Sequence, residues 1–113
     1  MIKDIINSYR THHGIPEAID ANLIENDHCR LHCLHMLNNY TLDHTPDVFL
    51  HGKSEIVAVC NFKRNIEETE HHLIWEVINS SPGHRDILLS SKHLAHYLLI
   101  HNYKAYLTVR GWQ

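Results

Sequence analysis

Glycine and proline are scarce in this chain, with four and three residues among 113. So few glycines leave no Gly-rich phosphate loop of the Walker or Rossmann kind, and the GxSxG turn of serine hydrolases is missing too. Nucleotide-binding and hydrolase classes lose their usual support. Cysteine is equally sparse: Cys29, Cys33 and Cys60 are odd in number and lack the spacing of a disulfide framework, a usage that fits a reducing compartment and buried free thiols. No apolar run approaches the roughly 20 residues that cross a bilayer. Polar residues interrupt Met1 to Asn7 where a signal peptide would be continuously apolar. A cytoplasmic protein without a membrane partner is the expectation. Positive charge is not in excess either, with ten Lys and Arg against thirteen Asp and Glu and a pI near 6.5. Lys63, Arg64 and Lys92 are scattered, so nucleic acid is not an expected partner.

Histidine, by contrast, is abundant at thirteen residues. Histidine titrates near neutrality, so mild acidification swings the net charge from negative to positive. The apolar fraction of 43% and charged fraction of 20% are ordinary for a folded chain, and the length suits a single domain over residues 1–113.

Ile2, Ile5, Ile6 and Tyr9 recur at helical spacing before Gly14 and predict a helix over 2–13. Pro16 suits the first turn of a short helix over 17–23. Leu31, Cys33, Leu34, Met36, Leu37 and Tyr40 predict a longer helix over 28–40. The pattern then changes to β-branched and aromatic residues: strands are predicted at 47–51 and 55–62, joined as a hairpin by Gly52-Lys53-Ser54. Ile56 to Cys60 is apolar on both faces and reads as a central strand. After the acidic run Glu67 to Glu70, alternation of Leu73, Trp75 and Val77 predicts a strand over 71–79. A helix over about 85–101 and a strand over 105–109 follow. The fold class is therefore α+β, with a small mixed sheet of about four strands, two to three N-terminal helical segments, and one helix between the last two strands.

His28, His32 and His35 stand at i, i+4 and i+7 on one helical face, a spacing that presents imidazoles together. Cys29 and Cys33 are four apart in the same segment. Neither CxxC nor HExxH occurs, so no metal ligand set is assigned. His72 and Glu76 share a face of the 71–79 strand and would stand roughly 13 Å apart along it.

The order of hairpin, polar connection, strand, turn, helix and strand over about residues 47–110, with Gly52-Lys53-Ser54-Glu55-Ile56-Val57-Ala58-Val59-Cys60-Asn61-Phe62 as its hairpin, resembles the central part of the GCN5-related N-acetyltransferase fold. The resemblance implies acetyl-CoA as cofactor. Val77, Ile78 and Asn79 would face its pantetheine arm. Gly83, His84 and Arg85, with Asp86, would lie at the pyrophosphate, where a helix N-terminus favours an anion. Glu76 would be the general base, with His72 as the second catalytic candidate. The implied function is a small acetyltransferase-like domain, acyl-CoA-binding or inactive. Two alternatives stay open: a non-enzymatic interaction protein that forms a homo-oligomer through an uncovered sheet edge, and a His-rich metal-binding or pH-responsive protein.

Overall fold

The computed structural model describes all residues, 1–113. Its elements run α1 (Ile2–His12), β1 (Ile19–Asp20), α2 (Leu23–Asn39), α3 (Asp47–Leu50), β2 (Ser54–Asn61), α4 (Ile66–Ser80), α5 (Pro82–Ser90), β3 (His93–His101) and β4 (Lys104–Trp112). The class is α+β, with a four-stranded mixed sheet in the order β1-β3-β4-β2. Only the short β1–β3 pairing is parallel. Helix α2 packs on one face of the sheet, against β3 and β4. Helices α1, α4 and α5 cover the other.

The local chemistry explains the helix limits. Asn22 caps α2 by accepting the Glu25 N–H at 3.0 Å, Asn65 caps α4 through Glu68 N–H at 2.8 Å, and Ser81 caps α5 through His84 N–H at 3.2 Å. Pro82 follows at the first helical position, where its missing N–H costs nothing. Gly14, at φ +73°, turns the chain out of α1. Strands β3 and β4 are joined by Asn102 and Tyr103, at φ +49° and +63°, the two-residue turn whose twist matches a hairpin.

Several elements differ from the sequence expectation. Residues 71–79 are helical within α4, because the apolar stripe that reaches the core is Leu73, Ile74 and Val77, at helical spacing, while Trp75 is 62% exposed. The helix expected over 85–101 is instead α5 followed by β3, and only the two residues of a tight turn separate the last two strands. Leu98-Leu99-Ile100 is a continuous apolar run because both faces of β3 are covered. Residues 47–50 form a single helical turn, and 17–23 contain β1 rather than a helix. Strand β2 falls where expected, but at the sheet's edge; the central position belongs to β4.

Strand β4 is buried from Ala105 to Gly111, and its side chains divide between two cores. Ala105, Leu107 and Val109 join Ile2, Ile6, Ile56, Leu73, Ile74, Val77, Leu88 and Leu94. Tyr106 packs with Cys33 and Met36 under α2. Gly111 is needed where β4 passes residue 91. A Cβ there would overlap the Ser91 hydroxyl and lie 2.8 Å from Ser91 Cβ and 3.2 Å from Leu94 Cδ2. Gly111→Ala is expected to cost about 1–3 kcal/mol, read from the urea midpoint. An unchanged midpoint would mean that residue 91 yields freely.

His96 projects from β3 beside Lys3, Ile6, Asn7, Ala18, Asp20 and Leu94. Burial lowers its pKa; Asp20 and Glu70 oppose this, while Lys3 and the N-terminal ammonium add to it. The folded state therefore binds fewer protons than the unfolded chain. This contribution is present above the unfolded value of about 6.5 and is lost as pH falls through the lower folded one. Stability should decline as pH falls below about 6.5, and His96→Leu should flatten that limb. Denaturation midpoints across this range, unaltered in slope by the substitution, would show that other groups dominate.

Candidate functional site

Strands β2 and β4 set Glu55 directly opposite Arg110, and both side chains turn to the α2 face. Their side chains are 1% and 4% exposed, with Arg110 Nε 3.4 Å from Glu55 Oε2. The loop before α3 closes over them. Thr45 donates its N–H to Glu55 Oε1 at 2.7 Å and its hydroxyl to Oε2 at 2.6 Å, while accepting from Arg110 Nη2 at 3.1 Å. His44 Nδ1 lies 3.1 Å from Glu55 Oε1. Burial works to raise the Glu55 pKa. The Thr45 hydroxyl and N–H, with His32 and His44, outweigh it and hold the carboxyl below its ordinary value. Glu55 is thus an ionised, fully engaged carboxylate. Arg110 Nη1 makes no hydrogen bond to the protein.

Above this network lies an open pocket of about 390 Å³ lined by His28, Leu31, His32, His35, Thr45, Pro46, Phe49, His51 and Arg110. Helix α2 supplies three of the imidazoles at the spacing read from the sequence, and the α3 segment supplies the opposite wall. His32 Nε2 donates to the Asp43 carbonyl at 2.7 Å, so that nitrogen carries the proton. His35 lies 3.3 Å from Asp43 Oδ2 and stacks on His32 at 5.5 Å between ring centroids. His28 Nδ1 is 3.5 Å from Glu25 Oε1, which also faces Lys53 Nζ at 3.8 Å. Leu31 and Phe49 are half exposed or more and give the pocket an apolar rim.

The cysteines of the same helix do not join the imidazoles. Cys29 and Cys33 are fully buried against the sheet, where burial pushes their thiols up to about 12 and about 11. Cys33 Sγ sits 3.3 Å from Thr108 Oγ1. No group of three or more His, Cys, Asp or Glu side chains is arranged to hold a metal ion.

The residues singled out through the family resemblance lie elsewhere, on the α4 and α5 layer. His72 and Glu76 are in contact, Nε2 to Oε1 at 2.6 Å, because four residues span one helical turn and not 13 Å of strand. Val77, Ile78 and Asn79 occupy the last turns of α4, where the backbone bonds within the helix and offers no strand edge to a pantetheine arm. Asn79 Nδ2 donates to Trp75 O at 2.7 Å. Gly83, His84 and Arg85 do open a helix, α5, but His84 N–H is taken by Ser81 Oγ and His84 Nδ1 by Ser80 Oγ at 2.7 Å. Glu55, Arg110, Thr45, Phe49 and His51 were not legible as site residues. One signal was there: single charges of opposite sign, Glu55 and Arg110, bordering two strands otherwise read as buried.

Compared with protein-family models and with curated proteins, the chain finds no match.

Proposed function

We propose that this chain is a non-catalytic binding domain whose pocket between α2 and α3 takes a small molecule carrying one anionic group on an apolar body. The observation that carries the reading is Arg110 at the pocket floor with Nη1 unpaired, beneath an imidazole wall and an apolar rim of Leu31 and Phe49. Arginine is suited to carboxylate and phosphate oxygens, and the volume lies within the range of small-molecule sites. The charge of Arg110 is already balanced by Glu55, so the pocket favours an anion by donor geometry.

The test is titration by calorimetry and two-dimensional NMR with phenyl phosphate and benzoate, using benzyl alcohol and inorganic phosphate as half-probes. Phenyl phosphate or benzoate should shift signals of Phe49, His51 and Arg110 and bind more tightly than either half-probe. Phe49→Ala, at a residue 62% exposed, should weaken binding roughly tenfold without loss of fold. No shift at millimolar probe would end the proposal. Acetyl-CoA belongs in the same series, and shifts confined to Gly83, His84 and Arg85 would favour the acetyltransferase-like reading instead.

A further inference from the structure

Strand β2 has one partner, β4, and its far edge is bare. The direction of its backbone groups follows from one hydrogen bond. Phe62 N–H reaches Tyr103 O at 2.6 Å, and Phe62 is opposite Tyr103 in the register that pairs Asn61 with Lys104. Antiparallel pairs alternate between bonded and non-bonded, so Cys60, Ala58 and Ile56 bond to β4 while Glu55, Val57, Val59 and Asn61 point their N–H and C=O groups away from it. The type of turn joining β3 and β4 gives the same alternation along β4 from the other side.

This edge carries none of the usual protections. Within Ser54–Asn61 there is no proline, lysine or arginine, the register with β4 is unbroken by a bulge, and the one charged side chain, Glu55, is turned into the Arg110 network. Both faces are apolar and covered: Ile56, Ala58 and Cys60 pack on the α4 side, Val57 and Val59 on the α2 side. A strand added here would extend two core layers at once, so it too must be apolar on both faces. The β2 segment itself meets that requirement.

We propose that a second copy of this chain pairs with β2 across a two-fold axis at Ala58, joining two four-stranded sheets into one of eight. In that register Val57 faces Val59 of the second copy and Glu55 faces Asn61, so every outward donor meets an outward acceptor of the identical edge. Ala58 stands opposite itself at a non-bonded pair, the closest approach in an antiparallel ladder and one that suits a small side chain. Lys53, just beyond the strand, already has its charge met by Glu25.

Two variants test the register. Val59→Pro removes an outward N–H and leaves the β4 ladder whole, as proline at an edge strand does. Ala58→Cys places two thiols at the axis, within the span of a disulfide. Sedimentation velocity on the unmodified protein should show a dimer at micromolar concentration, and Val59→Pro should shift it to monomer with an unchanged far-ultraviolet spectrum. Mild oxidation should cross-link Ala58→Cys rapidly and leave the unmodified chain uncross-linked. A monomer at all concentrations, a dimer that survives Val59→Pro, or Ala58→Cys that fails to cross-link while dimeric would each overturn the proposal. Should Val59→Pro not fold, the cross-linking result decides alone.

Discussion

Replacing Glu55 with glutamine is expected to cost about 3–5 kcal/mol, the range for removing one partner of a buried ion pair. The substitution keeps the shape but leaves the Arg110 guanidinium charged and without its counter-ion at 4% exposure. It also replaces one of two acceptor oxygens that together take Thr45 N–H, the Thr45 hydroxyl, His44 and Arg110 Nε. A domain of this size has roughly 5–15 kcal/mol in total, so the variant should be close to unfolding at physiological temperature. Urea denaturation measures the loss, and the double variant Glu55→Gln with Arg110→Met should recover part of it through coupling. A loss below about 1 kcal/mol would mean that Arg110 finds water instead. The pH dependence has a definite sign. The folded Glu55 pKa is below its unfolded value, so its contribution is present above about pH 4.3 and is lost as pH falls through the folded value. Glu55→Gln should remove this part of the acid limb while leaving the His96 part.

Arg10→Ala is expected to have a comparable effect on the other side of the sheet. The Arg10 guanidinium is the only donor joining three separate chain segments there: Nε to Pro16 O at 2.9 Å, and Nη1 to both Leu88 O and Ser91 O at 2.7 Å. Truncation leaves three carbonyls without that donor, and hydrogen bonds from charged groups are worth about 1.5–3 kcal/mol each before non-additivity. A loss of about 3–5 kcal/mol follows. Arg10→Lys should recover only a fraction, because one ammonium cannot reproduce a planar fork that spans α1, the end of α5 and the approach to β3. Equal midpoints for Arg10→Lys and the parent protein would show that charge alone suffices at this position. Native-state hydrogen exchange should show the change first at Ser91 and Leu94.

Helices α1 and α2 were legible from apolar residues at helical spacing, Ile2 and Ile6 in one and Leu31, Cys33, Leu34, Met36 and Leu37 in the other, although the α2 residues that reach the core are Cys29, His32, Cys33 and Met36. Strand β2 was legible as a short apolar run, Ile56 to Cys60, beyond a turn. Helix α4 was not, because Leu73, Trp75 and Val77 alternate as a strand would. Only burial reveals that Ile74 replaces Trp75 in the core. Strand β3 hid because Leu94, Ala95 and Leu98 also fit a helical spacing, and a run apolar on both faces has no period of its own to decide between the two. The imidazoles of α2 were visible as a helical stripe, and they do line a pocket. The ionic floor was invisible because it depends on the register that places Arg110 against Glu55, which is a property of two strands 55 residues apart. The edge position of β2 was likewise beyond reach: an apolar run reports that two faces are covered and says nothing of the two sides along which strands pair.

The position of β4 between β3 and β2 also sets a timetable. As the chain is made, β2 emerges long before β4, its one partner, more than forty residues later. During that interval α2 and α4 are already made, but both edges of β2 lack a strand to pair with. Contacts of such long sequence separation form slowly, and an unpaired β-rich segment is the species on which aggregation feeds. Expression of this protein should therefore be limited less by the stability of the finished domain than by how quickly the segment from Lys104 to Trp112 arrives to claim its neighbours, and slower synthesis before that point should lower the soluble yield.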